Sequence, residues 1–248
     1  MTGKTFAAAG TCLLLVALLV VGYWSWLPDV SDLRSQNLMT TRYVRIYVNR
    51  IRRKGERPSV AMRWATLSEI SPYLIRAVLI AEDDRFYRHH GVDWRQFKKA
   101  VRYNVRKRSL ARGASTITQQ VARNLFLGPS RRPRRKIKEI LLARHLEREL
   151  EKDRILELYL NIVEWGEGVF GAEAASRTYF GKSASDLTPE EAVELAAALP
   201  SPYRWNPAQP PDERTINVRR KYLDRMREEG LLGPKKTYSG VGPNSSKR

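Results

Sequence analysis

Phe6 to Leu27 is a run of 22 residues without one charged side chain, and no other stretch limits the chain's options as strongly. As a helix rising ~1.5 Å per residue it reaches ~33 Å, enough for a hydrocarbon core of ~30 Å. Tyr23, Trp24 and Trp26 crowd its C-terminal end, where membrane interfaces collect aromatic rings. A cleavable leader has a shorter apolar region followed by a small-x-small site, whereas here Trp24-Ser25-Trp26-Leu27-Pro28 follows. The run therefore reads as an uncleaved anchor. Lys4 precedes it and Arg34, Arg42 and Arg45 follow, so flanking charge does not fix its orientation, although a large domain can still be exported behind such a segment. The single Cys12 lies inside the run. No intrachain disulfide can form, and cysteine usage does not report a redox compartment.

The rest of the chain suits one domain with a full core. Val30 to Met62 is polar and basic, with a short strand suggested at Tyr43 to Val48. Helical signals then dominate. Ser71 with Pro72 starts a helix whose apolar face is Leu74, Ile75, Val78 and Ala81. Trp94, Phe97, Val101 and Val105 recur at helical spacing, with Lys98, Lys99, Arg102 and Arg106 on the other faces; such a helix fits ordinary core or a membrane interface. Ser115 to Leu125 reads as a further helix, and Ser130 is a candidate cap for one running through Pro133 to about Lys152. Ile155 to Leu160 continues or restarts it, and Gly166, Gly168 and Gly171 mark a loop. Thr188-Pro-Glu-Glu191 is a capping box for a helix that Pro200 stops. Thr215 to Glu229 is a charged amphipathic helix, and Gly233 to Arg248 is rich in Gly, Ser, Pro and Lys, a composition that resists packing. The expectation is a mainly α body, divided as 1–28 (tip and anchor), 29–66 (stalk or N-terminal extension), 67–230 (the domain) and 231–248 (tail).

The formal charge is +19, and it is concentrated. Arg95 to Lys138 holds fifteen Lys and Arg and no Asp or Glu. A field of that size attracts a polyanion, an anionic membrane surface or a phosphorylated substrate; a solvated basic face is the plain alternative.

Carboxylates flank this stretch. Glu82, Asp83 and Asp84 follow the apolar run Tyr73 to Ala81, and Glu139 opens another apolar helix. Two carboxylates beside apolar surface are the minimum for glycosyl chemistry. Glu82 sits where a helix should end, so the helix field, the apolar run and Asp83 all push its pKa upward, as a general base near neutral pH requires. Surface pairing with Arg85 and Arg88 is the alternative. Glu139 shares a helical stripe with Ala143, Leu146 and Leu150, which aims it inward, with Arg135 or Lys136 as its candidate partner. Between them, Ser115, Thr116, Thr118, Gln119, Gln120 and Asn124 offer neutral donors and acceptors beside Arg123; a hydrated polar helix is the alternative. His89, His90 and His145 provide no good zinc set with Cys12 in the anchor. A hydrogen-bonding role suits His89 better, and a hard cation (Mg or Mn) shared with diphosphate oxygens is left open.

Together these residues resemble the glycosyltransferase family 51 domain of class A penicillin-binding proteins and of monofunctional biosynthetic transglycosylases. The family's Glu-Asp-x-x-Phe-x-x-His-x-Gly is matched by Glu82, Asp83, Phe86, His89 and Gly91. Its Gly-x-Ser-Thr-x-Thr-Gln-Gln-x-x-x-Asn is matched by Gly113, Ser115, Thr116, Thr118, Gln119, Gln120 and Asn124, and its Arg-Lys-x-x-Glu by Arg135, Lys136 and Glu139. A fourth motif is matched by Lys152, Ile155, Leu156, Glu157, Tyr159, Leu160 and Asn161, and Leu195 to Pro207 resembles the last segment. Asn161 to Gly166 is similar to the monofunctional branch. One position departs: a cation usually Lys is here Arg123, which keeps the charge and changes its reach. No Ser-x-x-Lys or Lys-Thr-Gly of a penicillin-reactive transpeptidase is present.

The resemblance implies a lysozyme-like, mainly α glycosyltransferase domain behind one N-terminal transmembrane helix. It implies lipid II as substrate, polymerised with inversion into β-1,4 glycan with release of undecaprenyl diphosphate. Its site residues carry over as Glu82 and Glu139 for catalysis, with Asp83, Phe86, His89, Gly91, Ser115, Thr116, Thr118, Gln119, Gln120, Arg123, Asn124, Arg135, Lys136 and Lys152 binding substrate. No cofactor is required, with Mg or Mn left open. Expected partners are lipid II, the growing glycan chain, the membrane and other cell-wall synthesis and division proteins, with no nucleic acid. The expected location is the bacterial inner membrane, single-pass, with the domain on the outer side. A lytic muramidase shares the carboxylate chemistry, but cleavage of a glycoside leaves the acid-free basic stretch without a purpose. A tethered nucleic-acid binder would account for the charge and not for the ordered motifs.

Overall fold

The computed structural model describes residues 22, 27–107, 114–130 and 132–233. Apart from Gly22 and Leu27, the Phe6–Leu27 run lies outside them, as do Arg108, Gly113 and most of the tail. Among the described residues no helix is long and apolar enough to cross a membrane.

The first helix, α1 (Arg42–Arg53), stands where a strand was expected. Val44, Ile46 and Val48 alternate with larger residues, which reads as period two. The packing follows another spacing: Val44, Tyr47 and Ile51 are the buried face, at helical intervals. Thr41 settles the start, its side chain accepting the Val44 N–H at 3.2 Å. Tyr47 then meets Phe170 edge-on at 5.9 Å.

Beyond α1 the body is helical: α2 (Pro72–Glu82), α3 (Trp94–Lys107), α4 (Ile117–Ala122), α5 (Pro133–Glu149), α6 (Lys152–Ile162), α7 (Ala172–Phe180), α8 (Pro189–Ala198) and α9 (Glu213–Glu228). The glycine loop carries strand structure. β2 (Glu164–Gly166) and β3 (Val169–Phe170) form an antiparallel hairpin, and β1 (Ala61–Met62) joins β3 in parallel, Ala61 opposite Val169. Strands this short carry almost no period-two signal. Asn161 pins the approach to β1, exchanging two 2.8 Å bonds with the backbone of Ala65.

The starts of α2 and α8 follow the expected signals, with Pro at the first position of each and a full capping box at Thr188. Ser71 does not cap α2; its hydroxyl donates to the Leu187 carbonyl at 3.0 Å. Arg132 rather than Ser130 is the residue before α5. That helix ends at Glu149, so α6 is a restart.

One core joins these elements. Every residue of α4 is buried. It packs on α5 and α6, while α2 packs on α8 and α9. Leu74, Val78, Ile117, Val121, Leu142, Leu146, Ile155, Leu158 and Leu195 are fully buried among them. α4 does not stop as an α-helix but widens into a π-helical turn, Arg123–Leu127, closed by Gly128. The C-terminal end of α2 therefore lies between two halves, α4–α6 on one side and α8–α9 on the other.

Candidate active site

Glu82 is the last residue of α2. Asp83, next in sequence, turns the chain and fixes it to α4. Its carboxylate accepts the Ile117 N–H at 3.0 Å, at the first residue of α4, and receives the His89 imidazole at 3.0 Å. A negative charge at a helix N-terminus is favourable, so Asp83 holds the two elements in register. Thr116 adds a second tie, donating to the Gly91 carbonyl at 2.7 Å while accepting the Gln119 N–H at 3.2 Å. Gly91 is at φ +81°, and a Cβ there would stand 3.0 Å from the Ala143 backbone of α5. No other residue fits without moving α5.

This scaffold sets Glu82 half-buried against α4, where Gln120 donates its Nε2 to Glu82 Oε2 at 2.6 Å. Burial pushes the Glu82 pKa up, and the charge of Asp83 pushes the same way; the Gln120 bond and the Arg123 charge oppose them. The direction is the expected one, with burial as the leading cause. Surface pairing with Arg85 or Arg88 does not occur: Arg85 reaches Asp93 at 3.4 Å. Arg123 donates to Gln120 Oε1 at 3.2 Å, so one amide bridges the carboxylate and the cation. The hydroxyl of fully buried Tyr159 has no hydrogen-bonding partner among the described residues, and the charges of Glu82, Asp83 and Arg123 act on it.

Glu82 opens into a cleft of about 680 Å³. Ser115, Thr116, Gln120 and Arg123 form one wall, with Leu199, Pro200 and Lys221 among the rest of its lining. Behind Ser115 lies the second carboxylate. Glu139 is fully buried and holds both expected partners: Lys136 Nζ at 2.5 Å on one oxygen, and the Arg135 guanidinium on the other. Lys136 also donates to Ser115 Oγ at 2.7 Å and to Gln119 Oε1 at 3.0 Å. Glu139, Lys136 and Ser115 thus form a continuous chain to the cleft wall. Burial pushes the Lys136 pKa down against the pull of Glu139, and Arg123 and Arg135 push it further down. Three cations this close repel one another, a local field that an arriving anion would relieve.

Not every candidate gathers there. Phe86, Thr118 and Lys152 collect around Glu147, which sequence reading missed. Thr118 Oγ1 and Lys152 Nζ reach one Glu147 oxygen at 2.5 and 2.7 Å, and Lys152 sits 4.2 Å over the Phe86 ring. None of these four lines the Glu82 cleft. Asn124 is buried in the π turn. Tyr43 was also missed: α1 packs on that turn, and Arg123, Arg135, Glu164 and Glu139 all act on its hydroxyl. No motif flags Tyr43, because only the tertiary contact of α1 brings it there. Among the described residues no group of three or more His, Cys, Asp and Glu is placed to hold a metal. Each Glu139 oxygen already accepts from one cation.

The arrangement combines a proton acceptor of raised pKa, a cleft for a polar substrate and an anion-attracting wall. Comparison with known proteins points the same way. The Transglycosylase family model matches residues 49–227. Among curated relatives, the "Biosynthetic peptidoglycan transglycosylase" of Rhodospirillum centenum is 44% identical over 202 residues, covering 82% of this chain and 80% of its own length. The protein of that name from Azoarcus sp. is 42% identical over 197 residues, covering 79% and 85%. Its namesake from Chromobacterium violaceum is 38% identical over 229 residues, covering 89% and 96%. With Glu82, Glu139 and the cations between them set on one helical scaffold, the chain belongs to the transglycosylase family.

Proposed function

We propose that this chain polymerises lipid II, with Glu82 as the base that activates the acceptor. The chain is a peptidoglycan glycosyltransferase, and its curated relatives bear biosynthetic names, which speaks against the muramidase alternative. The acceptor sugar's 4-hydroxyl gives its proton to the Glu82 carboxylate as its oxygen attacks the donor's anomeric carbon from the face opposite the leaving group. The bond from that carbon to the lipid diphosphate breaks and the diphosphate leaves with the electron pair. The α-linked donor thereby becomes a β-1,4 product. The leaving group carries about two to three negative charges, so stabilising it is the second requirement. Arg123, Arg135 and Lys136 supply that field, charge-assisted contacts being the strong ones, and Glu139 orients the latter two.

Asp83, His89, Gly91, Thr116 and Gln119 act by holding the scaffold. Ser115 and Gln120 face the cleft and can touch substrate. Phe86, Thr118 and Lys152 act, on this reading, through the Glu147 cluster that braces α4 against α5 and α6. The Phe6–Leu27 run anchors the chain in the bacterial inner membrane with the domain outside, where a lipid-linked donor can reach the cleft.

The observation that carries the proposal is Glu82 at the mouth of a cleft whose other lining includes Ser115, Gln120 and Arg123. The test is polymerisation of labelled lipid II by the purified full chain, with and without chelator. Glycan strands should form with the wild-type protein and not with Glu82→Gln. Near-normal turnover by that variant would remove Glu82 from the base role. Fragments released from intact wall, without polymer, would instead restore the muramidase reading.

A further inference from the structure

The Glu82 cleft continues beyond its catalytic wall. Lys221 of α9 lines it and also lines two neighbouring depressions. One, of about 590 Å³, runs between the end of α2 and α9, bounded by Ile80, Asp84, Asn217, Arg220 and Lys221. The other, of about 460 Å³, lies along α9 by Arg214, Asn217 and Lys221. Lys221 thus stands where the cleft passes into an outer groove. None of these α9 residues belongs to the motifs that mark the catalytic site.

The groove's charges are unevenly satisfied. Asp84 receives Arg76 at 2.6 Å and Arg225 at 3.6 Å. Glu228 pairs with Arg225 at 3.5 Å, and Asp224 with Arg227 at 2.9 Å. Arg220 and Lys221 are exposed, and among the described residues neither has an ion-pair or hydrogen-bonding partner. The acids of the larger depression are spent on other arginines, and Arg220 and Lys221 remain facing it; Glu213, at the start of α9, is the acid that lines the smaller one.

Direction follows from the two sides of the cleft. The cations suited to the departing diphosphate belong to the α4–α5 side. An acceptor whose 4-hydroxyl lies at Glu82 must therefore carry its remaining substituents toward Leu199, Pro200 and Lys221. The acceptor brings two anionic substituents, its own diphosphate, tied to the bilayer by the prenyl tail, and the stem peptide; the peptide's carboxylates are the ones free to complement two unspent cations.

We propose that the α9 groove seats the stem peptide of the acceptor, with Lys221 and Arg220 contacting its carboxylates. The inference rests on the polymerase reading and adds a specificity site to it. Exposed ion pairs are individually weak, so removing both cations should raise KM and leave kcat nearly alone.

The test uses the full-length chain in lipid vesicles and two substrates: lipid II with free stem-peptide carboxylates, and lipid II with those carboxylates amidated. Wild-type protein should prefer the carboxylated substrate. In the Lys221→Ala, Arg220→Ala double variant, KM for that substrate should rise roughly three- to tenfold. KM for the amidated substrate should stay within about twofold of wild type, so that the preference disappears. Lys221→Glu should reverse the preference, an effect that mere loss of packing would not produce. An undiminished preference in the double variant overturns the seat, as does an equal loss on both substrates. Should wild-type protein polymerise neither substrate, the polymerase reading fails and takes the seat with it.

Discussion

Glu82 and Glu139 are carboxylates in apolar surroundings whose charges are held in opposite ways. Glu139 has two cations on its two oxygens and no exposure. Glu82 has one neutral donor, Gln120, with Asp83 adjacent. Removing the charge should therefore move stability in opposite directions. Glu82→Gln keeps the shape and the contact with Gln120 while deleting a disfavoured charge, so melting temperature should rise. The gain is about 0.5–2 kcal/mol, or ~2–4 °C per kcal/mol for a domain of this size. Because the folded-state pKa of Glu82 is raised, its stabilising contribution is complete below the unfolded value and is lost as pH rises through the folded one. The gain in the variant should accordingly appear at neutral pH and fade in acid. Glu139→Gln leaves Arg135 and Lys136 uncompensated and should lower the melting temperature, while cutting turnover more than about tenfold, ~1.4 kcal/mol of barrier. Thermal melts of both variants beside lipid II turnover read both quantities. A smaller loss of turnover would make Glu139 purely structural. The raised pKa also predicts the acid limb of kcat/KM. As the proposed base, Glu82 works ionised, so activity should climb with pH through a midpoint above the ordinary carboxylate range. Gln120→Leu deletes the bond that opposes the rise and should move this limb to higher pH; a lowered plateau with an unmoved limb would show that Gln120 only supports shape.

At the scale of elements, the site depends on α4 meeting the end of α2 in one register. Asp83 fixes it through Ile117 and His89, and Thr116 through Gly91 and its own cap. Thr116→Ala should cost about 0.5–2 kcal/mol as a lost cap and should also loosen Glu82 against Gln120. Asp83→Asn removes the charge at the α4 N-terminus and should lower both melting temperature and kcat, with KM less affected. Wild-type kcat in either variant, alongside a lowered melting temperature, would separate the register from catalysis. These ties were only partly legible in the sequence. Glu82, Asp83 and Thr116 stand out because their residue types are unusual beside apolar runs, and Glu139 because its stripe is otherwise aliphatic. The starts of α2 and α8 were legible because Pro and capping signals are local, whereas Ser130 placed the cap of α5 too early. α1 was not, since Val44, Ile46 and Val48 fit a strand equally well until Tyr47 finds Phe170. Tyr43, Glu147 and Lys221 left no signal either. Each reaches its place through the packing of elements distant in sequence, and for the widening of α4 into a π turn at Arg123 the structure offers no local sequence cause.

At the scale of the molecule, the proposed lipid-linked substrate would bring enzyme and bilayer together, and on that reading the exposed side of α3 is the part of the described domain that would meet it. Only Ala100 of this helix is buried. Trp94, Val101 and Val105, spaced seven and four apart, are 53%, 45% and 72% exposed, so they present one apolar stripe to solvent. Lys98, Lys99, Arg102 and Arg106 flank it along one side. An apolar stripe rimmed by cations is what an amphipathic helix presents to an anionic bilayer, and it lies on the chain between Glu82 and the cations of α4 and α5. Among the described residues nothing covers these side chains, which fits a bilayer contact on the proposed reading. Val105→Asp tests this, since that side chain supports no core and the variant should melt as wild type does. On undecaprenyl lipid II in anionic vesicles, kcat/KM should fall severalfold. On a short-prenyl lipid II soluble in water it should stay within about twofold, because the chemistry at Glu82 is untouched. Raising ionic strength should weaken the vesicle reaction further, as screening shortens the reach of the rim cations from ~10 Å at 0.1 M salt toward ~3 Å at 1 M. Equal losses on both substrates would make α3 a structural support of the cleft, and no loss on either would remove α3 from the proposed membrane contact.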